Sequence, residues 1–186
     1  MNENHVEDTI AVLDRMPAAL DALLRGLPER WTAGTEGADT WSVTEVIAHL
    51  IHGERTDWMP RVTVILERGP SGEFVPFDRQ GHRQEMHGKP LAALLDEFAG
   101  ARTANLSALR ALNLTAGDLS RTGRHPAFGT VTLSQLLATW AAHDLTHLHQ
   151  ISRIMAVQYR ELVGPWTEYL GVMNCSGHSS PPKTST

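Results

Sequence analysis

The sequence predicts an all-α fold, a four-helix bundle with long crossover connections, and three observations carry that prediction. Apolar residues recur at helical spacing in four long stretches, two of those stretches open on capping boxes, and no segment alternates apolar and polar residues as a half-buried strand does. A chain of 186 residues, 41% of them hydrophobic, can bury a core without disulfide or metal staples and is expected to form one bundle domain over residues 1–173.

Residues 6–27 form the first predicted helix through Ile10, Leu13, Leu20, Leu23, Leu24 and Leu27, closed by Gly26 and Pro28. Pro17 lies inside it, so a kink or a split is expected there. Residues 31–40, rich in Gly and Thr, read as a loop. Ser42 with Glu45 makes the capping box of the second helix, which is expected to run to about Arg68, bend at Pro60 and stop at Gly69-Pro70. Residues 70–88 lack periodicity and read as a crossover loop. Pro90 opens a third helix carrying Leu91, Leu94, Leu95, Phe98, Leu106, Leu109 and Leu112, which frays near Asn113. Residues 115–130, with His125-Pro126 and Phe128-Gly129, read as a second loop. Thr132 and Gln135 cap a fourth helix reaching at least Gln158, and Gly164-Pro165 ends a last helical extension. Residues 174–186, mostly Ser, Gly, Pro and Thr, read as a disordered tail.

Acidic residues outnumber basic ones, 21 to 16, and neither sign gathers into runs, which argues against nucleic acid or a membrane surface as partner. The single cysteine, Cys175, leaves no internal disulfide and no cysteine-based zinc site, as suits a reducing compartment. The N-terminal stretch lacks a signal-peptide pattern, and no run approaches the roughly 18 apolar residues of a membrane span, so a cytoplasmic location is expected.

Ten histidines are many for this length, and position sorts them. At roughly 100° per residue, His143 and His147 fall in the fourth helix's apolar stripe with Leu136, Trp140, Gln150, Ile151 and Ile154. Their i, i+4 spacing stacks two imidazoles on adjacent turns, where both can reach one ion. His149 projects from the opposite side. The second helix offers His49, which borders the face of Val46 and Leu50 one turn before Gly53, and His52, which lies farther round and reads as solvated. His49 is the candidate third ligand. His5, His82, His87, His125 and His178 sit in segments read as terminal or loop, hence as surface residues, with His82 and His87 placed to rim a pocket if the crossover loop folds over it. Asp144 gives His143-Asp144-Leu145-Thr146-His147 a passing likeness to the HExxH helix of zinc proteases, but aspartate is a methylene too short for that base and no sheet accompanies it. It reads as orienting an imidazole, capping a polar edge or facing solvent. Trp41 and Trp140 read as core fillers beside the ligands.

Three blocks resemble the DinB/YfiT-like superfamily: Trp41-Ser42-Val43 running into Glu45-Val46-Ile47-Ala48-His49-Leu50; His125-Pro126 through Phe128-Gly129 to Val131-Thr132-Leu133; and residues 139–151 around His143 and His147. Gln158-Tyr159-Arg160-Glu161 and Gly164-Pro165-Trp166 extend the likeness, which spans residues 6–170 in order and spacing. The resemblance implies an up-down-down-up bundle, a three-histidine site at His49, His143 and His147, nickel or zinc as the metal, and a homodimer. It also implies chemistry like that of relatives that transfer or isomerise with bacillithiol or mycothiol, although many members have no established reaction.

Three neutral imidazoles leave a divalent ion its full charge and an open position, the pattern of a catalytic site. Such an ion polarises carbonyls and lowers the pKa of a bound water or thiol, which permits either S-transfer from a low-molecular-weight thiol to a small electrophile or hydrolysis. Two other readings stay open: a non-catalytic bundle that binds metal or a small ligand, and an interaction domain whose histidines only pack.

Overall fold

Each of the four apolar stretches becomes helix, and the connections carry more structure than their sequence announces. The computed structural model describes residues 3–175, with side chains from residue 6. In chain order the elements are α1 (Glu3–Leu24), α2 (Glu29–Ala33), α3 (Val43–Thr56), α4 (Trp58–Arg68), α5 (His82–Met86), α6 (Leu91–Ala111), α7 (Ala116–Leu119), β1 (Thr122–His125), β2 (Gly129–Thr132), α8 (Leu133–Val157) and α9 (Gly171–Asn174), with 3-10 turns at Gly69–Ser71 and Gly164–Tyr169. The tail from Ser176 onward, with His178, and the His5 side chain lie outside the described residues.

Both anticipated capping boxes form: Ser42 with Glu45 opens α3, and Thr132 with Gln135 opens α8. The second helix does not bend at Pro60 but breaks three residues earlier, at Asp57. Proline lacks the N–H that would bond the Thr56 carbonyl, and its ring crowds that same carbonyl, so α3 ends at Thr56 and Pro60 falls in the first turn of a new helix, where proline is tolerated. Pro17 acts differently. α1 continues through it, and the carbonyl it leaves without a helical partner, that of Leu13, accepts a hydrogen bond from Arg102 Nη1 at 2.8 Å.

The expected loops are partly ordered. α2 takes the start of the first, and residues 70–88 contain α5. Gly164-Pro165 begins a turn instead of ending a helix. Residues 115–130 hold α7, opened by a Thr115–Asp118 capping box, and then the antiparallel pair β1–β2, in register Thr122↔Thr132 to His125↔Gly129. These four-residue strands have no alternating apolar pattern. They are held by each other and by residues 72–74, where Arg124 N–H donates to the Gly72 carbonyl and Phe74 N–H to that of Arg124.

Among the described residues the core falls into two apolar clusters. One gathers Ile10 and Leu13 of α1, Trp58, Val62 and Ile65 of α4, Leu106 and Leu109 of α6, and Leu133, Leu137 and Trp140 of α8. The other gathers Leu20 and Leu24 of α1, Val46, Ile47 and Leu50 of α3, Leu94 and Phe98 of α6, and Ile151 and Ile154 of α8. The first and fourth helices therefore run from the first cluster to the second, and the other two run the reverse way, which is the up-down-down-up arrangement. Between the clusters each of the last three helices carries a buried charged residue: Glu54, Arg102 and Asp144, at 3%, 1% and 0% exposure. This polar band crosses the bundle at the level of the histidines.

Candidate metal centre

α3 and α8 run antiparallel, and the turn of α3 holding His49 faces the two turns of α8 holding His143 and His147. His143 Nε2 stands 3.2 Å from His49 Nε2 and 3.1 Å from His147 Nε2, and the potential ligand atoms of all three lie within 4.8 Å of one another. Ligands of a tetrahedral zinc, each about 2.0–2.1 Å from the ion, stand about 3.3 Å apart, so this spacing suits one ion between the rings. His49 and His147 are buried and His143 is half-buried.

The donor set fits a cation. Burial, reinforced by the neighbouring imidazoles, pushes His49 down to about 2, and burial with the charges of His147 and Arg102 pushes His143 to about 3. Burial takes His147 to about 4 although Gln150 opposes it. All three rings are neutral at pH 7. His147 Nδ1–H donates to Gln150 Oε1 at 2.8 Å, which turns the Nε2 lone pair towards the other two rings. Nδ1 of His49 and of His143 is buried without a hydrogen-bond partner. Lone pairs converging at this range repel unless protons or a cation stand among them, and a single ion takes all three at once.

The same values give the pH dependence of the protein stripped of metal by chelator. Folding depresses all three imidazoles from about 6.5, so the unfolded chain takes up protons first, and stability present above about pH 6.5 is lost as pH falls towards 4. Burial raises Asp57 and Asp144 to about 6, which opposes the loss between about pH 6 and 4. Burial lowers His82 and His125 as well, so the depressed imidazoles outnumber the two raised carboxylates by more than one proton, and unfolding free energy is expected to drop by more than about 1.4 kcal/mol per pH unit across that window. Urea titrations at pH 4.5, 5.5 and 7 check this, and a flat profile contradicts neutral buried imidazoles.

Aromatic rings wall the three histidines. Trp41 packs between His49 and His82, its centroid 4.9 Å and 4.6 Å from theirs, while Phe77 meets His49 edge-on at 5.4 Å and Trp58 meets His143 at 5.2 Å. The segment bearing Phe77 can lie so close to α3 because Gly81 has no side chain: a Cβ there would stand 2.2 Å from the His52 ring. A cavity of about 610 Å³ opens from the imidazoles towards the β-hairpin.

Several residues sit where the sequence did not place them. Asp144 is not solvated and does not orient an imidazole. Its two oxygens accept from Arg102 at 2.6 and 3.1 Å, and Arg102 also donates to Glu54 at 2.8 Å. Glu54 in turn accepts from Trp140 Nε1 and Asn105 Nδ2, both at 2.9 Å, so Trp140 is core but also polar-bonded. Desolvation draws the Arg102 pKa down, but Asp144 and Glu54 outweigh it and leave the pKa raised. The legible signal was Arg102 itself, a charge at i+4 from Phe98 and i−4 from Leu106 in an apolar stripe. His82 is buried, not a surface residue, with Nδ1 3.0 Å from the Arg79 carbonyl, because α5 folds it under the loop against Trp41. His52 is likewise mostly enclosed, its side chain 12% exposed beside Glu85. His125 lines the cavity, His87 is exposed, and exposed His149 lies 3.1 Å from Cys175 Sγ.

The sequence pattern of the DinB superfamily matches residues 12–151, a span that includes all three histidines. The chain belongs to the DinB superfamily. Its fold is similar to that of YfiT from Bacillus subtilis, with a TM-score of 0.71 at 18% identity over 87% of this chain and 90% of the other. YfiT is described as a probable metal-dependent hydrolase with an unusual four-helix bundle topology. No functionally curated protein matches the sequence. Among the described residues of this superfamily member, no helix is long and apolar enough to cross a membrane.

Proposed function

We propose that this protein is a metal-dependent enzyme acting on a small molecule, with His49, His143 and His147 holding one divalent ion, nickel or zinc. The observation that carries the reading is the convergence of three neutral Nε2 atoms at the inner end of a cavity large enough for a substrate. Bound there, the ion supplies Lewis-acid activation of an electrophile, of water or of a thiol. The chain's own residues do the rest: Gln150 fixes the tautomer of His147, and Trp41, Trp58 and Phe77 exclude water around the rings. No cysteine lines the cavity, and Cys175 is exposed. A sulfur nucleophile would therefore come from a low-molecular-weight thiol cosubstrate, and hydrolysis is the other outcome the site permits. The kinship with YfiT supports metal-dependent hydrolysis at the level of fold.

Elemental analysis of tag-free protein, followed by an assay of metal-loaded protein on an alkyl halide and an activated ester, with and without added thiol, tests the reading. Consumption that needs the metal, either with thiol or without it, is the expected result. Metal-replete protein with no turnover beyond a His143→Ala variant would favour a binding protein for metal or small ligands.

A further inference from the structure

The cavity has a second polar end. His49, Gly53 and Asp57 follow one another at i, i+4 spacing, and Arg61 continues the series on α4; all four line the cavity. One wall thus runs from imidazole to carboxylate along about 12 Å of helical rise, with a residue lacking a side chain midway.

Asp57 and Arg61 form an ion pair, Oδ1 to Nη2 at 2.7 Å, with side chains 10% and 11% exposed. The guanidinium also lies over the Phe74 ring, 5.1 Å from its centroid. His125 completes this end from β1. Its Nδ1 accepts the backbone N–H groups of Ala127 and Phe128 at 3.1 and 3.3 Å, which puts the ring proton on Nε2 and makes that atom a donor. The ring is held between Phe128, stacked at 4.5 Å, and the edge of Phe74 at 6.2 Å. Burial, and then the charge of Arg61, push His125 below its ordinary pKa, in keeping with a neutral ring.

A guanidinium engaged by one carboxylate, together with an imidazole N–H, offers the cavity more donors than acceptors. The complementary group is an acceptor with a single negative charge. The Arg61–Asp57 pair has no net charge, so recognition rests on the N–H groups that Asp57 leaves open: a carboxylate accepts parallel N–H bonds from a guanidinium edge, whereas a dianion such as a phosphate monoester would bring a second uncompensated charge towards Asp57. We propose that Arg61 and His125 form a carboxylate-binding subsite, with Asp57 as the residue that positions Arg61. The substrate is then a small organic acid whose reactive group extends past Gly53 to the histidines, an assignment of substrate class that rests on reading those histidines as the reactive end.

The test is a titration of full-length, as-purified protein with 4-phenylbutyrate, 4-phenylbutyramide and 4-phenylbutylamine, followed by the indole N–H resonances of the tryptophans. The carboxylate is expected to bind about tenfold or more tightly than the amide or the amine. An Asp57→Asn/Arg61→Gln double variant, which removes both charges together and keeps polar side chains at the two positions, should lose that preference and still bind the amide. His125→Phe, on the hairpin, should weaken the carboxylate several-fold and leave the amide unchanged. Equal affinity for the three probes, no saturable binding of the carboxylate, or a preference that survives the double variant would overturn the proposal; the last would place the carboxylate at the ion. Metal content read on the same samples separates the two claims. Protein that prefers the carboxylate but takes up neither nickel nor zinc on reconstitution keeps the subsite and removes the metal reading, and metal-replete protein indifferent to charge does the reverse.

Discussion

Arg102→Ala is expected to lower the unfolding free energy by about 3–5 kcal/mol, the largest single-residue effect in the molecule outside the apolar core. Arg102 is 1% exposed and links Asp144, Glu54 and the Leu13 carbonyl. Removing it leaves two carboxylates, already out of water, without their cation, and leaves Leu13 with an orphan carbonyl that Pro17 cannot bond. Its guanidinium also lies against the rings of Phe98 and Trp140, at 4.9 and 5.4 Å, so packing is lost as well. Urea denaturation at pH 7 measures the loss. A triple variant, Arg102→Met with Glu54→Gln and Asp144→Asn, should recover much of it, because the cost lies in stranding charges more than in lacking the bridge. A loss below about 1 kcal/mol in the single variant would mean that water reaches this band.

His143→Ala is expected to reduce metal affinity by more than about two orders of magnitude, with metal-dependent turnover falling in step. His143 Nε2 neighbours both other ligand atoms, so its removal leaves His49 and His147 without the member that stands next to each. Loss of an outer partner of a ligand costs about 10–100-fold, and loss of the ligand itself costs more. Gln150→Leu supplies the graded comparison: it removes the acceptor of His147 Nδ1–H and should fall within that smaller range. Competition against a chromogenic chelator reads all three proteins. Stability without metal should hardly change in His143→Ala, since its Nδ1 is buried without a partner and the side chain borders an open cavity. Full metal occupancy in this variant would remove the three-histidine centre.

What could be read from the sequence was whatever short-range geometry fixes. Ser42 with Glu45 and Thr132 with Gln135 placed two helix starts because a cap is satisfied within four residues. The i, i+4 pair His143 and His147 could be placed on one face of a helix whatever that helix packs against. The position of His49 against them required the antiparallel packing of α3 on α8, which periodicity blurred by Pro60 does not specify. Long-range pairings left weaker traces. Thr122–His125 and Gly129–Thr132 have no strand pattern of their own and become strands through each other and the Gly72–Phe74 backbone.

Four amphipathic stretches, the caps of two of them and three histidines at core faces were legible in the order of residues, because each follows from the chemistry of neighbours a few residues apart. Packing between distant elements is what brings Glu54, Arg102 and Asp144 together across three helices, sets Arg102 against the carbonyl freed by Pro17, and encloses His82 and His52 beneath the loop at Gly81. A buried charge or an unbonded carbonyl is tolerable only beside its partner. Here those partners lie 42 to 89 residues away in the chain, a distance over which the sequence records the need but not the pairing.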